Sequence, residues 1–167
     1  MASSNLLALA QTIQDSAIGT AIAESRYMWP IFEGTHLLSL ALSFGLILFT
    51  DLRLVGAILG DIPLREVLGQ LRPYVLGAFA LTFLSGGLVF WSEAATVMAS
   101  PLWTVKLILI ALGGLNALYF EFVIARRPEV RNDRTPLPVS VRWAGFASMG
   151  IWSLVIICGR LLAYMPK

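Results

Sequence analysis

One glutamate and one histidine lie one helical turn apart inside the first long apolar stretch of this chain. His36 is the only histidine among the 167 residues, and it follows Glu33 by three positions. That spacing places two side chains on the same face of a helix. Ionisable groups within an apolar helix are costly and usually contact a ligand, a proton path or an ion partner. The pair therefore predicts a polar pocket, in which His36 either contacts a cofactor or makes a structural hydrogen bond.

The composition assigns the chain to the integral membrane proteins. Hydrophobic residues make up 57%, charged residues only 13%, and the mean hydropathy is +0.78. Soluble domains usually have about 25% charged residues, and a membrane-crossing helix needs about 20 mostly apolar residues. Four segments meet that requirement, at residues 29–50, 74–92, 102–125 and 143–164. The sequence thus predicts an all-α fold, a four-helix bundle that spans a lipid bilayer.

The positive charges predict how the bundle is oriented. Eight of the twelve Lys and Arg residues fall in the connection between the first two segments or in that between the last two. Cytoplasmic loops carry such an excess of positive charge. We therefore expect a multi-pass protein of the bacterial inner membrane with both termini in the periplasm. Aromatic residues are not interleaved with these arginines, so nucleic acid is not expected as a partner.

Residues 1–28 form the first of two predicted units, and residues 29–167 form the second. The first unit lacks a basic start and a long apolar run, so we expect it to be part of the mature protein rather than a cleaved signal. Apolar residues recur in it at helical spacing. This pattern predicts an amphipathic helix on the periplasmic membrane surface, with a break at Gly19.

Alternation of the spans predicts which polar groups meet. Glu33, His36, Glu93, Lys106 and Arg160 all fall in the periplasmic half of their helices. Lys106 and Arg160 either contact the anionic groups of a cofactor or extend to the membrane surface. The chain has no Walker loop and no nucleophile elbow. Glu33 and His36 have the spacing of helical di-iron sites, but those sites need two such motifs and this chain supplies one.

Several stretches of the sequence resemble known membrane proteins. They are Tyr27–Pro30 with the Glu33 and His36 pair, Asp51–Gly56, Ser100–Lys106, Leu115–Ala117 and Gly159–Tyr164. Together they resemble an uncharacterised family of bacterial four-helix membrane proteins over nearly the whole chain. More distantly, the first-helix histidine and the tryptophan-then-lysine start of the third span are similar to the copper-resistance D and membrane protoporphyrinogen oxidase group. That group includes proteins that bind haem b through helix-borne histidines.

The distant resemblance implies haem b as a cofactor, but the chain departs from the pattern of that group. Related chains carry a histidine shortly after the Asn-Ala of the third span, where this chain has Tyr119, Phe120 and Glu121. Haem iron would then be bound by His36 alone, by His36 with Met98 or Met165, or by His36 from two protomers of a homo-oligomer.

Two functional hypotheses follow from the sequence. The first is redox support related to haem b or a quinone, in a pocket formed by Glu33, His36, Met98, Lys106 and Arg160. The alternative is an accessory or structural subunit of a larger membrane complex. In that case His36 and Glu33 would pair with Arg160 or Lys106 and hold the helices together.

Overall fold

A computed structural model of the chain describes residues 2–132 and 137–164, and the regular elements in these ranges are all helices. This confirms the all-α prediction. The helices are α1 (Ala2–Gln14), α2 (Ala17–Glu24), α3 (Met28–Val55), α4 (Leu64–Met98), α5 (Pro101–Tyr119), α6 (Pro128–Arg131) and α7 (Val139–Ala163). α5 continues into a short π-helix, Phe120–Ile124.

Four helices of the described chain are long and apolar enough to cross a membrane. They are Met28–Val55, Leu64–Met98, Pro101–Ile124 and Val139–Ala163, which indicates a multi-pass membrane protein. The second predicted span lies inside α4, which begins ten residues before residue 74 and includes Arg65 and Arg72. Hydropathy marks the part of a helix that crosses hydrocarbon, whereas the helix itself continues through polar residues beyond it.

The spans pack in the order α4, α3, α7 and α5. α3 contacts both α4 and α7, α7 contacts α5, and α4 and α5 touch along only a short stretch. We call the end where α3 and α5 begin, and where α4 and α7 end, the terminal side. The opposite end is the loop side.

Small residues bring the helices close together. A Cβ added to Gly145 of α7 would lie 3.0 Å from the Leu54 Cβ of α3, and one added to Gly113 of α5 would lie 2.9 Å from the Trp152 ring of α7. Trp152 also meets Phe79 of α4 edge to face, with ring centroids 4.9 Å apart. Trp152 therefore packs between helices, unlike a tryptophan at a membrane boundary.

The loop side carries the main cluster of buried apolar residues. Its members come from α3, α4, α7 and the segment after α5, and they are Leu54, Leu64, Phe120, Ile124, Val130, Val141 and Ala144. The Arg53 guanidinium donates to the Ile62 carbonyl at 2.7 Å and so ties α3 to the following loop. Arg72 of α4 and Glu121 of the π-helix form a partly exposed ion pair at 2.7 Å.

The N-terminal segment folds as two short helices that pack on the bundle. The break falls at Asp15 and Ser16, not at Gly19 as predicted, because the Ser16 hydroxyl caps α2 by accepting from the Gly19 amide. Gly19 lies within α2, where an added Cβ would clash with the Gln14 carbonyl. α1 contacts α4, and α2 contacts both α3 and α4. The amphipathic membrane-surface position stays a prediction.

Polar contacts attach these two helices to a kink in α4. Glu93 has non-helical backbone angles, φ −131° and ψ 23°, inside α4. Two residues later the Ala95 amide donates to the Gln14 side-chain carbonyl at 3.0 Å, so a group from α1 satisfies the backbone at the kink. The Trp91 indole donates to the Ser16 hydroxyl at 2.9 Å.

Candidate functional site

A row of hydroxyl groups surrounds His36 at the interface of α3 and α4. On α3 it consists of Ser39 and Ser43, which follow His36 at helical spacing, and on α4 of Thr82 and Ser85. The Ser39 and Ser85 hydroxyls lie 3.4 Å apart, and those of Ser43 and Thr82 lie 3.3 Å apart. All four are buried. Each hydroxyl also bonds a carbonyl of its own helix, so this row needs no ligand to satisfy it.

The His36 ring is anchored through Nδ1. This atom lies 3.1 Å from the Thr82 carbonyl oxygen and 3.3 Å from the Ser85 hydroxyl. A carbonyl can only accept, so the Nδ1–H donates to it and the lone pair of the neutral ring lies on Nε2. Nε2 makes no hydrogen bond to the residues that the structure describes.

Gly86 makes room for this ring. A Cβ added to Gly86 would lie 2.8 Å from His36 Cε1 and 3.1 Å from Nδ1. The imidazole thus packs directly on the backbone of α4. The neighbouring Gly87 has nothing within 4 Å of an added Cβ, so only one of the two glycines is required by this contact.

Lys106 of α5 packs against α7. Its Nζ lies 3.2 Å from where a Cβ on Gly159 of α7 would be. Lys106 forms no ion pair within the described ranges. Its Nζ lies 5.9 Å from the centroid of the Trp103 ring, a distance at which a cation interacts with an aromatic face, and an acceptor oxygen of a ligand would be a further partner.

In the described chain no hydrogen bond or ion pair links the other predicted site residues to His36 or Lys106. Glu33 is only partly buried, and within the described chain it makes no hydrogen bond or ion pair. Arg160 is exposed and donates to the Tyr164 hydroxyl at 2.9 Å. Met98 ends α4, twelve residues after Gly86, and so lies about 18 Å along the helix from the level of the imidazole. Met165 lies outside the described residues.

No group of three or more His, Cys, Asp or Glu residues suited to a metal ion exists among the described residues. The oxygen atoms near His36 that could bind a metal belong to hydroxyl groups, and these hydroxyls already donate to backbone carbonyls. Any metal at this site would therefore need most of its ligands from a bound molecule or a second chain.

Comparison with protein families identifies the relatives of this chain. A family described as being of unknown function, DUF6644, matches residues 17–165. The chain belongs to this family. The match begins at the start of α2, so α1 precedes the matched region. Comparison with curated proteins and with solved structures gives no match. The resemblance to the copper-resistance D and protoporphyrinogen oxidase group stays a prediction.

Sequence reasoning overlooked the hydroxyl row in this member of the DUF6644 family. The signal was present, because Ser39 and Ser43 follow His36 by three and seven positions in an apolar helix. Such spacing places all three on one face. The partners Thr82 and Ser85 could not be assigned, since their meeting with α3 depends on how the two helices pack.

Proposed function

We propose that this protein binds the head group of a quinone between His36 and Lys106 and thereby supports redox chemistry in the membrane. The observation that carries the proposal is a chain of contacts at α4: the His36 ring packs on Gly86, the Phe90 ring one turn later stacks on Trp103 with centroids 4.9 Å apart, and the Lys106 ammonium lies 5.9 Å from the centroid of the Trp103 ring. Neither His36 Nε2 nor Lys106 Nζ makes a hydrogen bond to the described residues, so both atoms could bond a ligand.

The two groups suit the oxygens of a quinone or quinol. The Lys106 ammonium can only donate, so it would bond a carbonyl oxygen of the ring. His36 Nε2 accepts, so it would take a hydrogen bond from a quinol hydroxyl. Neither role requires a further carboxylate, which agrees with the position of Glu33 away from these contacts.

Haem b is the second candidate, and the Nδ1 contact favours it. Metal-binding histidines usually donate their second ring N–H to a carbonyl, as His36 does to Thr82. His36 Nε2 would hold the iron, and the haem would supply one-electron chemistry. Among the described residues His36 would hold the iron and Met98 is too distant to do so, so a second ligand would come from outside the described residues or from another copy of the chain. Lys106 would be the cation that pairs with a propionate of the haem.

The charge distribution supports a proposed location of the site. Most Lys and Arg residues of the sequence lie in the connections of the loop side, and cytoplasmic loops typically carry such an excess. We propose that the terminal side, with His36 and Lys106, faces the periplasm of a bacterial inner membrane.

Two measurements on one preparation test these candidates. Quinone extracted from the purified protein is quantified for wild type, His36→Ala and Lys106→Met, with Glu121→Gln on the loop side as the control. We expect co-purified quinone in wild type and the control, and its loss in both site variants. A b-type α-band in the reduced minus oxidised spectrum that disappears only with His36→Ala would instead establish haem.

A featureless spectrum together with quinone at the level of the surrounding lipid would reject both candidates. The remaining hypothesis would be that the protein is a cofactor-free subunit of a larger membrane complex. His36→Ala would then reduce stability without changing any absorbance, because the Thr82 and Ser85 groups would lose a buried partner.

A further inference from the structure

One carboxyl group is buried inside the loop side of the bundle. Asp51 of α3 is 4% exposed, and its Oδ2 atom has no hydrogen-bond partner among the described residues. It lies four residues before the end of α3, about 6 Å along the helix from the loop that follows. The candidate site does not use this group, because His36 lies fifteen residues earlier, about 22 Å away along α3.

The contact between α3 and α7 encloses this carboxyl. A Cβ added to Gly145 of α7 would lie 3.1 Å from the Asp51 backbone carbonyl oxygen, so the two backbones approach closely at this residue. Ser148 of α7 is also buried and forms a side-chain hydrogen bond with the Asp51 carboxyl. The partner that α7 offers to this carboxyl is therefore a neutral hydroxyl.

No cation pairs with Asp51 in the part of the chain that the structure describes. Arg53 is the nearest cation in sequence, but side chains two residues apart do not face each other on a helix, and the Arg53 guanidinium donates to the Ile62 carbonyl. The charged residues at the loop side of α4, the π-helix and α7 are exposed or partly exposed, and they are Arg65, Glu66, Arg72, Glu121 and Arg142.

We propose that Asp51 is a proton-binding site, so that the folded protein holds a neutral carboxylic acid between α3 and α7 at neutral pH. A buried carboxylate without an ion partner costs far more free energy than a neutral carboxyl, and such groups take up a proton instead. The bound proton therefore stabilises the contact between α3 and α7. This site is independent of the proposed quinone or haem.

A proton suits this position better than a metal ion. A hard cation such as Ca²⁺ or Mg²⁺ needs about six oxygen ligands. Asp51 belongs to no group of three or more His, Cys, Asp or Glu residues suited to a metal ion within the described ranges. A single carboxyl with one hydroxyl partner can hold a proton without any further ligand.

Infrared spectroscopy of the full-length protein in lipid nanodiscs tests the proposal, because a protonated carboxyl has a carbonyl-stretch band that a carboxylate lacks. We expect this band at neutral pH. Aspartate labelled with ¹³C at its side-chain carboxyl should shift the band, and Asp51→Asn should remove it. Asp61→Asn is the control, because this aspartate lies exposed in the loop after α3 and its replacement should leave the band unchanged.

The pH dependence of thermal unfolding is a second measurement. A carboxyl that is neutral in the folded protein ionises when unfolding exposes it to water, so rising pH favours the unfolded state. Asparagine cannot ionise. From mildly acidic to mildly alkaline pH, the unfolding midpoints of wild type and Asp61→Asn should therefore fall relative to that of Asp51→Asn.

Three results would overturn the proposal. The first is the absence of an acid band in wild type at neutral pH, or a band that labelled aspartate does not shift, and this result requires no variant to fold. The second is a band that persists in Asp51→Asn, which would assign the proton to another residue. The third is an equal pH dependence of the unfolding midpoints of wild type and Asp51→Asn.

Discussion

The contact between Gly86 and the His36 ring gives the sharpest quantitative prediction. A methyl group on Gly86 would lie 2.8 Å from His36 Cε1, although carbon atoms prefer separations of about 3.5–4.0 Å. The ring must move by roughly 1 Å or more. If it swings away, it loses the Nδ1 bond to Thr82, which costs about 0.5–1.5 kcal/mol. If it stays, overpacking costs about 1–3 kcal/mol.

Gly87→Ala is the matched control for Gly86→Ala. Both changes replace a helical glycine and gain up to about 1 kcal/mol in helix propensity, but an added Cβ at Gly87 contacts nothing within 4 Å. We therefore expect Gly86→Ala to be less stable than Gly87→Ala by about 0.5–3 kcal/mol. Reversible unfolding of both variants in mixed micelles, followed by circular dichroism, measures this difference.

A double variant identifies the ring as the cause. In a His36→Ala background the space beside Gly86 is vacant, so adding Gly86→Ala should cost nothing or stabilise the protein. The reasoning would be refuted if Gly86→Ala and Gly87→Ala had equal stability. It would also be refuted if the cost of Gly86→Ala persisted without the imidazole.

Four further substitutions test other contacts. Gly113→Ala should destabilise the protein relative to Gly114→Ala in thermal unfolding, because only the first methyl group meets the Trp152 ring. Asn116→Leu removes the bond from the Asn116 amide to the Ala144 carbonyl, 3.1 Å long, and should cost about 0.6–1.7 kcal/mol of unfolding free energy; no change would mean that the bond is not formed. Gly19→Ala should loosen the α1 and α2 pair and speed proteolysis near Ser16, whereas protection equal to wild type would contradict the close contact with Gln14. Glu121→Gln should change stability by less than about 1 kcal/mol, since both partners of its ion pair are partly exposed; a larger loss in chemical denaturation would show that the pair is shielded from solvent.

Hydropathy predicted four spans because crossing hydrocarbon requires about 20 apolar residues wherever the helix packs. Hydropathy did not reveal the full length of α4, because the first ten residues of this helix are too polar to meet that criterion. Leu64 and Val67 among them are nevertheless buried. The break after Asp15 was misplaced at Gly19, because glycine can either end a helix or allow a close contact, and the sequence does not distinguish these uses.

The candidate site was likewise predicted only in part from the sequence. The type and depth of His36 and Lys106 follow from sequence, because helical rise and alternating span direction fix how far each lies from a membrane surface. Which helix faces which depends on side-chain packing among all four spans. The tertiary structure therefore decided that His36 anchors on Thr82 and Gly86, while Arg160 donates to Tyr164 and Met98 lies about 18 Å further along α4. Sequence by itself determined a four-helix membrane protein with one intramembrane histidine, since burial in lipid constrains composition. Tertiary structure alone selected the partners of that histidine, since contacts between helices depend on shape.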